Sequence, residues 1–308
     1  MSTSVARVVR ARKGYHAPLE GESSAARGAG SKDPWYQPAL DSPLSVTDLP
    51  LRVASYAFEE SRPGRARILL ATELDIRDLG SRASEGPPDV LDVMLLVGEP
   101  EHGKLIRQEF SLDLTTHPET RRGLEASWLP VLRDVDLAPG AYRARIVVRD
   151  RGSGRVGSVD HTFEVPKLGG LRASSVVITD TLEPKPDGVA SQLEPRVVAR
   201  RAFPAGALLF VHYDVYGAAE DPGTGQPRVL TGLEIGRRDG TVVGRGNLVP
   251  IPPSPDGRLS RTSDVRLAAP PGTYDLVLTI RDDVTGQELR VREEFTTVAP
   301  STPPKVIR

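Results

Sequence analysis

Apolar and polar residues alternate along much of the chain with the two-residue period of a β-strand that buries one face. Between residues 65 and 76, apolar side chains and one threonine take every second position, while arginines and carboxylates take most of the positions between them. Residues 142–150 show the same alternation, and residues 90–97 are almost continuously apolar. The continuous apolar run predicts a buried strand.

The pattern predicts strands in both halves of the chain, separated by turn signals such as Asp239-Gly240 and the proline-rich loop Pro250–Gly257. The predicted strands are residues 51–58, 65–76, 90–97, 104–114, 142–150 and 155–165, then 174–179, 208–216, 229–237, 241–247, 260–267, 274–282 and 287–298. In the first half, only residues 118–127 have the pattern of a helical turn. The chain is therefore predicted to be all-β.

The two halves repeat one another. Gly140-Ala141-Tyr142 and Gly272-Thr273-Tyr274 are 132 residues apart, and the same offset joins Val148 to Ile280, Arg149 to Arg281, Asp150 to Asp282, Gly154 to Gly286 and Phe163 to Phe295. A period this long indicates two copies of a domain rather than a solenoid. We predict two tandem immunoglobulin-like or fibronectin-III-like β-sandwiches at 49–167 and 171–299. Residues 1–48 would combine a short strand-like stretch with a flexible linker (16–48), and 300–308 would be a disordered tail.

The repeated motif has a structural interpretation. Tyr142 and Tyr274, each two residues after Gly140 or Gly272, match the tyrosine corner of immunoglobulin-like sandwiches, in which the hydroxyl bonds to nearby backbone. Asp150 and Asp282 would accept N–H bonds in the next hairpin turn, where a glycine tolerates positive φ.

The composition of the chain excludes several classes of function. Forty basic residues against 41 acidic residues give a net charge of −1, which argues against nucleic-acid binding. The absence of cysteine excludes disulfides and thiol catalysis, and five histidines leave little material for a zinc enzyme. No apolar run is long enough to span a bilayer. We expect no cofactor and no enzymatic activity.

Several residues remain as candidates for chemistry. Ser158, Asp160 and His161 lie along one predicted strand rather than in a triad, and Asp221, Asp282 and Asp283 are better explained by turns than by calcium. His212 and Asp214 share a strand face as weak ligand candidates, although a solvent-facing pair is the simpler interpretation. Arg7, Arg10, Arg12 and Lys13 form a small basic cluster. Trp35 and Tyr36 are weak candidates for a carbohydrate platform.

Several segments resemble the C-terminal region of the VWFA-related proteins of Acidobacteria, which carry a von Willebrand factor A-like domain upstream. They are residues 10–18, Leu49-Pro50-Leu51-Arg52-Val53, the stretch from Leu137 through Pro166, and Arg201-Ala202-Phe203-Pro204-Ala205-Gly206. The A-type domain itself is missing from this sequence. Asp41-Ser42-Pro43-Leu44-Ser45 lacks the Asp-x-Ser-x-Ser spacing of its metal-adhesion motif, so metal-dependent adhesion is not implied.

The expected function is a non-catalytic module for protein interaction or spacing, which would display loops or pair strands at open sheet edges. The alternative is an accessory module that binds carbohydrate or a surface ligand through Trp35 or Tyr36. We expect an unidentified protein partner and no nucleic acid. The resemblance implies a periplasmic or secreted setting, although the first residues lack a secretory-signal pattern.

Overall fold

A computed structural model describes residues 34–77, 79, 90–99, 105–114, 128–185, 193–266 and 269–299, together with the backbone of Tyr15 and His16. Nearly all elements are strands. In chain order they are β1 (Tyr15–His16), α1 (Gln37–Asp41), β2 (Leu51–Arg62), β3 (Arg65–Leu74), β4 (Val90–Gly98), β5 (Leu105–Asp113), β6 (Leu129–Leu137), β7 (Gly140–Asp150), β8 (Val156–Val165), β9 (Arg172–Ala173), β10 (Val177–Thr179), β11 (Leu182–Pro184), β12 (Leu193–Pro195), β13 (Ala202–Pro204), β14 (Leu208–Tyr216), β15 (Val229–Arg237), β16 (Val242–Arg245), β17 (Val249–Ile251), β18 (Leu259–Arg266), β19 (Gly272–Asp282) and β20 (Glu288–Val298).

The central strands follow the same order in both halves of the chain, with β2-β3-β6 matching β10-β14-β18 and β5-β4-β7-β8 matching β16-β15-β19-β20. In the first half, one sheet has the order β1-β6-β3-β2 and the other has the order β5-β4-β7-β8. In the second half, β10-β14-β18 form one sheet, with β9 also paired to β14, and β13-β20-β19-β15-β16 form the other, with β17 paired to β15. The predicted all-β fold class of two tandem immunoglobulin-like or fibronectin-III-like sandwiches is therefore confirmed.

Contacts along the described chain define two compact units. The first contains Met1–Val53, Ala71–Arg133 and Ala141–Phe163, and the second contains Ala54–Leu70, Asp134–Gly140 and Glu164–Arg308. The limits of these units fall inside strands, whereas the predicted sandwich limits fall between strands. The boundaries 49–167 and 171–299 stay predictions.

The core of the second sandwich lies between its two sheets. Alternate residues of β14 and β19 point into it, including Val211, Tyr213 and Leu278, which are almost completely buried. Within this apolar cluster the Tyr213 hydroxyl donates a 2.8 Å hydrogen bond to Oγ1 of Thr231 on the opposite sheet. The buried hydroxyl groups are thus paired with each other, as burial of polar groups requires.

Strand β6 was missed by the sequence pattern. Its sequence Leu-Pro-Val-Leu-Arg-Asp-Val-Asp-Leu places Arg133 on the same face as buried Val131 and Val135. The Arg133 guanidinium lies 3.4 Å from the ring centroid of Phe110 on β5. A charged residue that points inward breaks the apolar alternation on which the prediction depends. Short strands β9, β11, β12, β13 and β17 were also missed, and the predicted helical turn at 118–127 lies outside the described residues.

The predicted linker at 16–48 is wrong for residues 34–46, which we call the strap. The strap contains helix α1 and packs on the outward face of β4 and β7, where Tyr36 and Ala39 form a buried cluster with Met94 and Val147. A sheet with apolar residues on this face has to be covered, and the strap covers it. Linker residues 17–33 lie outside the described part of the chain, and Thr47, which follows the strap, forms a β-bridge with Gly157.

Hydrogen bonds fix the strap at the C-terminus of α1 and at the C-terminal end of the strap. Arg145 on β7 donates from Nη2 to the carbonyl oxygens of Ala39 and Ser42 (2.9 Å for Ser42), which are left open at the C-terminus of α1. After α1, the backbone N–H of Ser158 donates to the carbonyl oxygen of Val46 at 2.8 Å. Gly157 beside it is required, because a Cβ there would lie 2.0 Å from the carbonyl oxygen of Leu49.

We predict that Tyr36→Ala lowers the free energy of unfolding by about 2–4 kcal/mol, because it empties the aromatic site between strap and sheet. Tyr36 is only 7% exposed. The matched control is Leu44→Ala in the same strap, where the side chain is 74% exposed and a change within about 0.5 kcal/mol is expected. Urea denaturation of both variants measures the difference. Equal midpoints would contradict the docking of the strap.

Candidate functional site

Asp150 and Asp282 close equivalent hairpin turns. Asp150 accepts hydrogen bonds from the backbone N–H groups of Gly152 (3.2 Å) and Ser153 (2.9 Å). Asp282 accepts from the N–H of Val284 at 2.9 Å and from the Thr285 hydroxyl at 2.8 Å. The glycines that end these turns, Gly154 and Gly286, have φ values of +73° and +75°. Each carboxylate therefore satisfies donors of its own turn, which is a structural role.

The two tyrosines of the repeat have different hydrogen-bond partners. The Tyr274 hydroxyl donates to the carbonyl oxygen of Pro270 at 2.7 Å, the upstream backbone bond of a tyrosine corner. The Tyr142 hydroxyl donates to the carboxylate of Glu99 at 3.1 Å. Gly140 and Gly272, which begin β7 and β19, differ as well, because only Gly140 has a φ in the positive region, at +154°.

Ser158, Asp160 and His161 are not brought together for catalysis. The Ser158 hydroxyl accepts the N–H of Val46 at 2.8 Å. Asp160 forms ion pairs with Arg143 and Arg145, and the His161 ring stacks on Phe163. The described residues contain no group of three or more histidine, aspartate or glutamate side chains that could hold a metal ion. The basic cluster Arg7, Arg10, Arg12 and Lys13 lies outside them.

The prediction of an exposed aromatic ring is wrong for Tyr36, and for Trp35 it stays a prediction. Tyr36 is buried in the strap cluster, and the Arg107 guanidinium lies 4.9 Å from its ring centroid. Trp35 is half-buried, and the Arg149 guanidinium lies 4.8 Å from its ring. Burial therefore removes the Tyr36 ring as a stacking surface for a sugar, and an arginine guanidinium lies over one face of the Trp35 ring.

His212 and Asp214 lie on the outward face of β14, as predicted, but neither is a freely solvated group. His212 Nδ1 lies 2.9 Å from the Thr262 hydroxyl on β18. Burial lowers the pKa of His212 below its usual value, although the Asp214 carboxylate acts in the opposite direction. The Asp214 carboxylate accepts a 3.2 Å hydrogen bond from the Tyr216 hydroxyl.

A groove of about 460 Å³ begins at Asp214, at the end of β14 in the second unit. Its walls come from residues 214–218, 220, 225–227 and 256–259. Three carboxylates line it, Asp214, Glu220 and Asp256, against one guanidinium, that of Arg258. The groove is therefore weakly acidic.

Tyr216 forms part of the floor of the groove. The Arg172 guanidinium lies 4.1 Å from its ring centroid and holds one face of the ring. Burial raises the pKa of the Tyr216 hydroxyl, and the negative charges of Asp214 and Glu59 raise it further. The hydroxyl therefore stays protonated and donates its hydrogen bond to the Asp214 carboxylate.

Hydrogen bonds within the loops fix the groove in shape. Asp282 Oδ2 accepts the N–H of Ala219 at 3.1 Å, which ties the loop after β14 to the turn after β19. Asp221 accepts the N–H of Gly223 at 2.7 Å in the same loop. Ser254 closes the turn before β18 with a 2.8 Å bond to the carbonyl oxygen of Arg258. These loops are therefore held in place before any partner arrives.

Sequence reasoning missed the groove and its residues Tyr216, Glu220 and Asp256. The sequence pointed to the pair His212 and Asp214, to Asp221 and to the loop Pro250–Gly257, but it did not indicate that these segments meet. The groove arises where loops distant in sequence meet, and such a meeting leaves no periodic pattern.

No protein-family model matches the chain, and a search of characterised proteins finds no match either. Among solved structures, 114 chains match. The fibronectin(III)-like modules of Clostridium thermocellum CbhA are 15% identical, with 81% of this chain and 93% of that chain covered and a TM-score of 0.23. A tetra-tandem repeat from the extending region of a large adhesion protein is 10% identical, with 82% and 50% covered and a TM-score of 0.23. Red sea bream transglutaminase is 12% identical, with 85% and 33% covered and a TM-score of 0.22.

The chain spans half the length of the adhesion-protein structure and a third of the transglutaminase. Likeness at these TM-scores carries no argument about function. Within the described residues, no helix has the length and apolar character needed to cross a membrane.

We predict that Tyr274→Phe lowers the free energy of unfolding by about 1 kcal/mol, because the carbonyl of Pro270 loses one of its two donors and keeps the Thr297 hydroxyl at 2.9 Å. Tyr142→Phe is expected to cost less, because the Glu99 carboxylate that loses its donor is partly exposed and can bind water instead. Denaturant midpoints of both variants test this order. An unchanged midpoint for Tyr274→Phe would refute the tyrosine corner in the second sandwich.

We predict that His212 makes the chain less stable in acid. Its lowered pKa means that, as pH falls below about 6.5, the unfolded chain takes up this proton more readily than the folded chain, so the free energy of unfolding decreases. His212→Gln should remove this part of the decrease when urea midpoints are compared at about pH 7.5 and about pH 5. Thr262→Val, which keeps the imidazole, should retain it. If the urea midpoint of His212→Gln decreased between the two pH values as much as that of the wild type, His212 would not be the source of the acid sensitivity.

Proposed function

We propose that the chain is a non-catalytic protein-interaction module that binds its partner with the loops of the second sandwich. The observation that carries this proposal is the groove at the end of β14, whose walls are held by hydrogen bonds within and between loops. Loops fixed in advance cost less conformational entropy on binding than mobile ones. Loops on a rigid sandwich are also the usual site of recognition in such folds.

The sheet edges support loop display over strand pairing, the other mechanism open to such a module. Strand β16 shifts register against β15 at Ile235/Gly236. Strand β17, which also pairs with β15, contains Pro250. Arg261 on the edge strand β18 reaches inward to Ser263 and the carbonyl of Pro250. Bulges, prolines and inward-pointing charges are the features that protect an edge from pairing with another strand.

The resemblance to VWFA-related proteins adds a biological setting to this proposal. In that setting the chain would follow an A-type domain in a periplasmic or secreted protein, and would either bind a partner or separate neighbouring domains. The fixed loops favour the binding role over the spacer role.

The proposal is tested by affinity capture from the native organism with residues 1–308 as bait and mass spectrometry as the readout. Glu220→Lys reverses an exposed charge inside the groove, and Asp264→Lys reverses an exposed charge on β18 outside it. We expect a protein that is recovered by the wild type and by Asp264→Lys but lost with Glu220→Lys.

Two outcomes count against the proposal. A protein recovered equally by all three baits would place the binding surface away from the groove. Recovery of no specific protein by the wild type would leave spacing between domains as the better function.

A further inference from the structure

The two central strands β3 and β14 can be superimposed in sequence at an offset of 141 residues. This offset joins Pro63 to Pro204, and it joins Leu70 and Leu74 to Val211 and Val215, all four of which are buried. The same offset joins Glu73 to Asp214. The two carboxylates therefore occupy the same place in the two repeats, on the face of the strand opposite these buried residues.

The strands on either side align as well. At an offset of 122, Leu49 corresponds to Leu171 and Arg52 to Ser174. This register is borne out by backbone pairing, because the N–H of Asp75 bonds to the carbonyl of Pro50 and Tyr216 pairs with Arg172. At an offset of 130, Leu129 corresponds to Leu259, both of them buried, and so Trp128 corresponds to Arg258.

In the first repeat, the arginine Arg52 lies beside the carboxylate Glu73. Arg52 Nε donates to Oε2 of Glu73 at 2.5 Å, and the guanidinium lies 4.2 Å from the ring centroid of Trp128. The Glu73 side chain is only 2% exposed. The guanidinium thus neutralises a buried carboxylate and stacks on an aromatic ring, which are two contacts that suit its planar shape.

The second repeat lacks that arginine. Ser174 is too short to reach the Asp214 carboxylate, and its hydroxyl instead accepts the N–H of Asp214 at 3.0 Å. Arg258 turns outward to Asp256, with Nε and Oδ2 3.4 Å apart and 68% of its side chain exposed. In the described part of the chain no arginine or lysine forms an ion pair with Asp214 or Glu220. The groove lies where the first repeat has Arg52 and Trp128.

We propose that the groove receives an arginine side chain of the partner protein, which takes the place that Arg52 has in the first repeat. This inference rests on the proposed function and names the chemistry of its partner. The incoming guanidinium would meet Asp214 at the base and Glu220 at the rim. The Tyr216 hydroxyl stays bonded to Asp214, and the charge of Arg258 is already matched by Asp256, so the remaining charge favours a cation.

The test uses the full chain labelled with ¹⁵N and the probe N-acetyl-arginine amide, followed by amide shifts of Tyr216, Gly217 and Gly257. Saturable shifts with a millimolar Kd are expected for a single side chain, and the neutral isostere N-acetyl-citrulline amide should bind roughly tenfold more weakly or not at all. Asp214→Asn, which keeps an acceptor for Tyr216, should lose the shifts. Asp264→Asn on β18 is the matched control and should keep them.

Each result decides between alternatives. Shifts of equal size with citrulline, or shifts that persist in Asp214→Asn, would overturn the arginine site. Tighter binding of free L-arginine than of the blocked derivative would overturn a protein as its source, because a side chain of a partner offers no free amino or carboxyl group. If the arginine probe fails while affinity capture still depends on Glu220, the proposed function stands and only the arginine chemistry falls.

Discussion

Guanidinium groups that reach from one element to the next hold this structure together. Arg145 binds the carbonyl ends of helix α1, and Arg52 neutralises the buried Glu73. Arg201 donates a 2.7 Å hydrogen bond to the hydroxyl of fully buried Tyr56, which in turn donates to the carbonyl of Val198 at 2.6 Å. The chain contains no cysteine, so no disulfide can make such connections. Arginine can make them because its planar group donates up to five hydrogen bonds and stacks on aromatic rings.

These arginines do not contribute equally to stability. Pairs at the surface, such as Arg238 with Glu294, are exposed to water and counterions and contribute little. The buried groups matter more, because loss of one partner leaves a charge or a carbonyl oxygen without compensation. Burial lowers the pKa of Arg133 to about 10. The neighbour of this guanidinium is the Phe110 ring. The guanidinium nevertheless stays charged at neutral pH. Arginine thus stabilises contacts between elements where it is buried and contributes little to stability where it lies on the surface.

The alternating pattern was enough to predict most long strands, and both ends of β14 and β15 agree with the structure to the residue. It failed at β6, because Arg133 points inward, and at the strap, because five helical residues in a segment rich in glycine, serine and proline carry no clear period. The turns of Asp150 and Asp282 follow from one offset of 132 residues. The groove does not follow from that offset. Its residues correspond to those of the first repeat at three other offsets, which differ because the loops differ in length. Only the folded chain shows which residues of the two repeats correspond.

The strap also constrains the order in which the chain can fold. It is separated by about a hundred residues from Arg145 and Ser158, which bind it. During synthesis its aromatic residues leave the ribosome long before strands β7 and β8 exist. At roughly 5–20 residues per second, Tyr36 waits on the order of 5–25 s for the sheet that buries it. The segment that covers the outer face of β4 and β7 is therefore made before part of the sheet that it covers, and it can dock only after that sheet has formed.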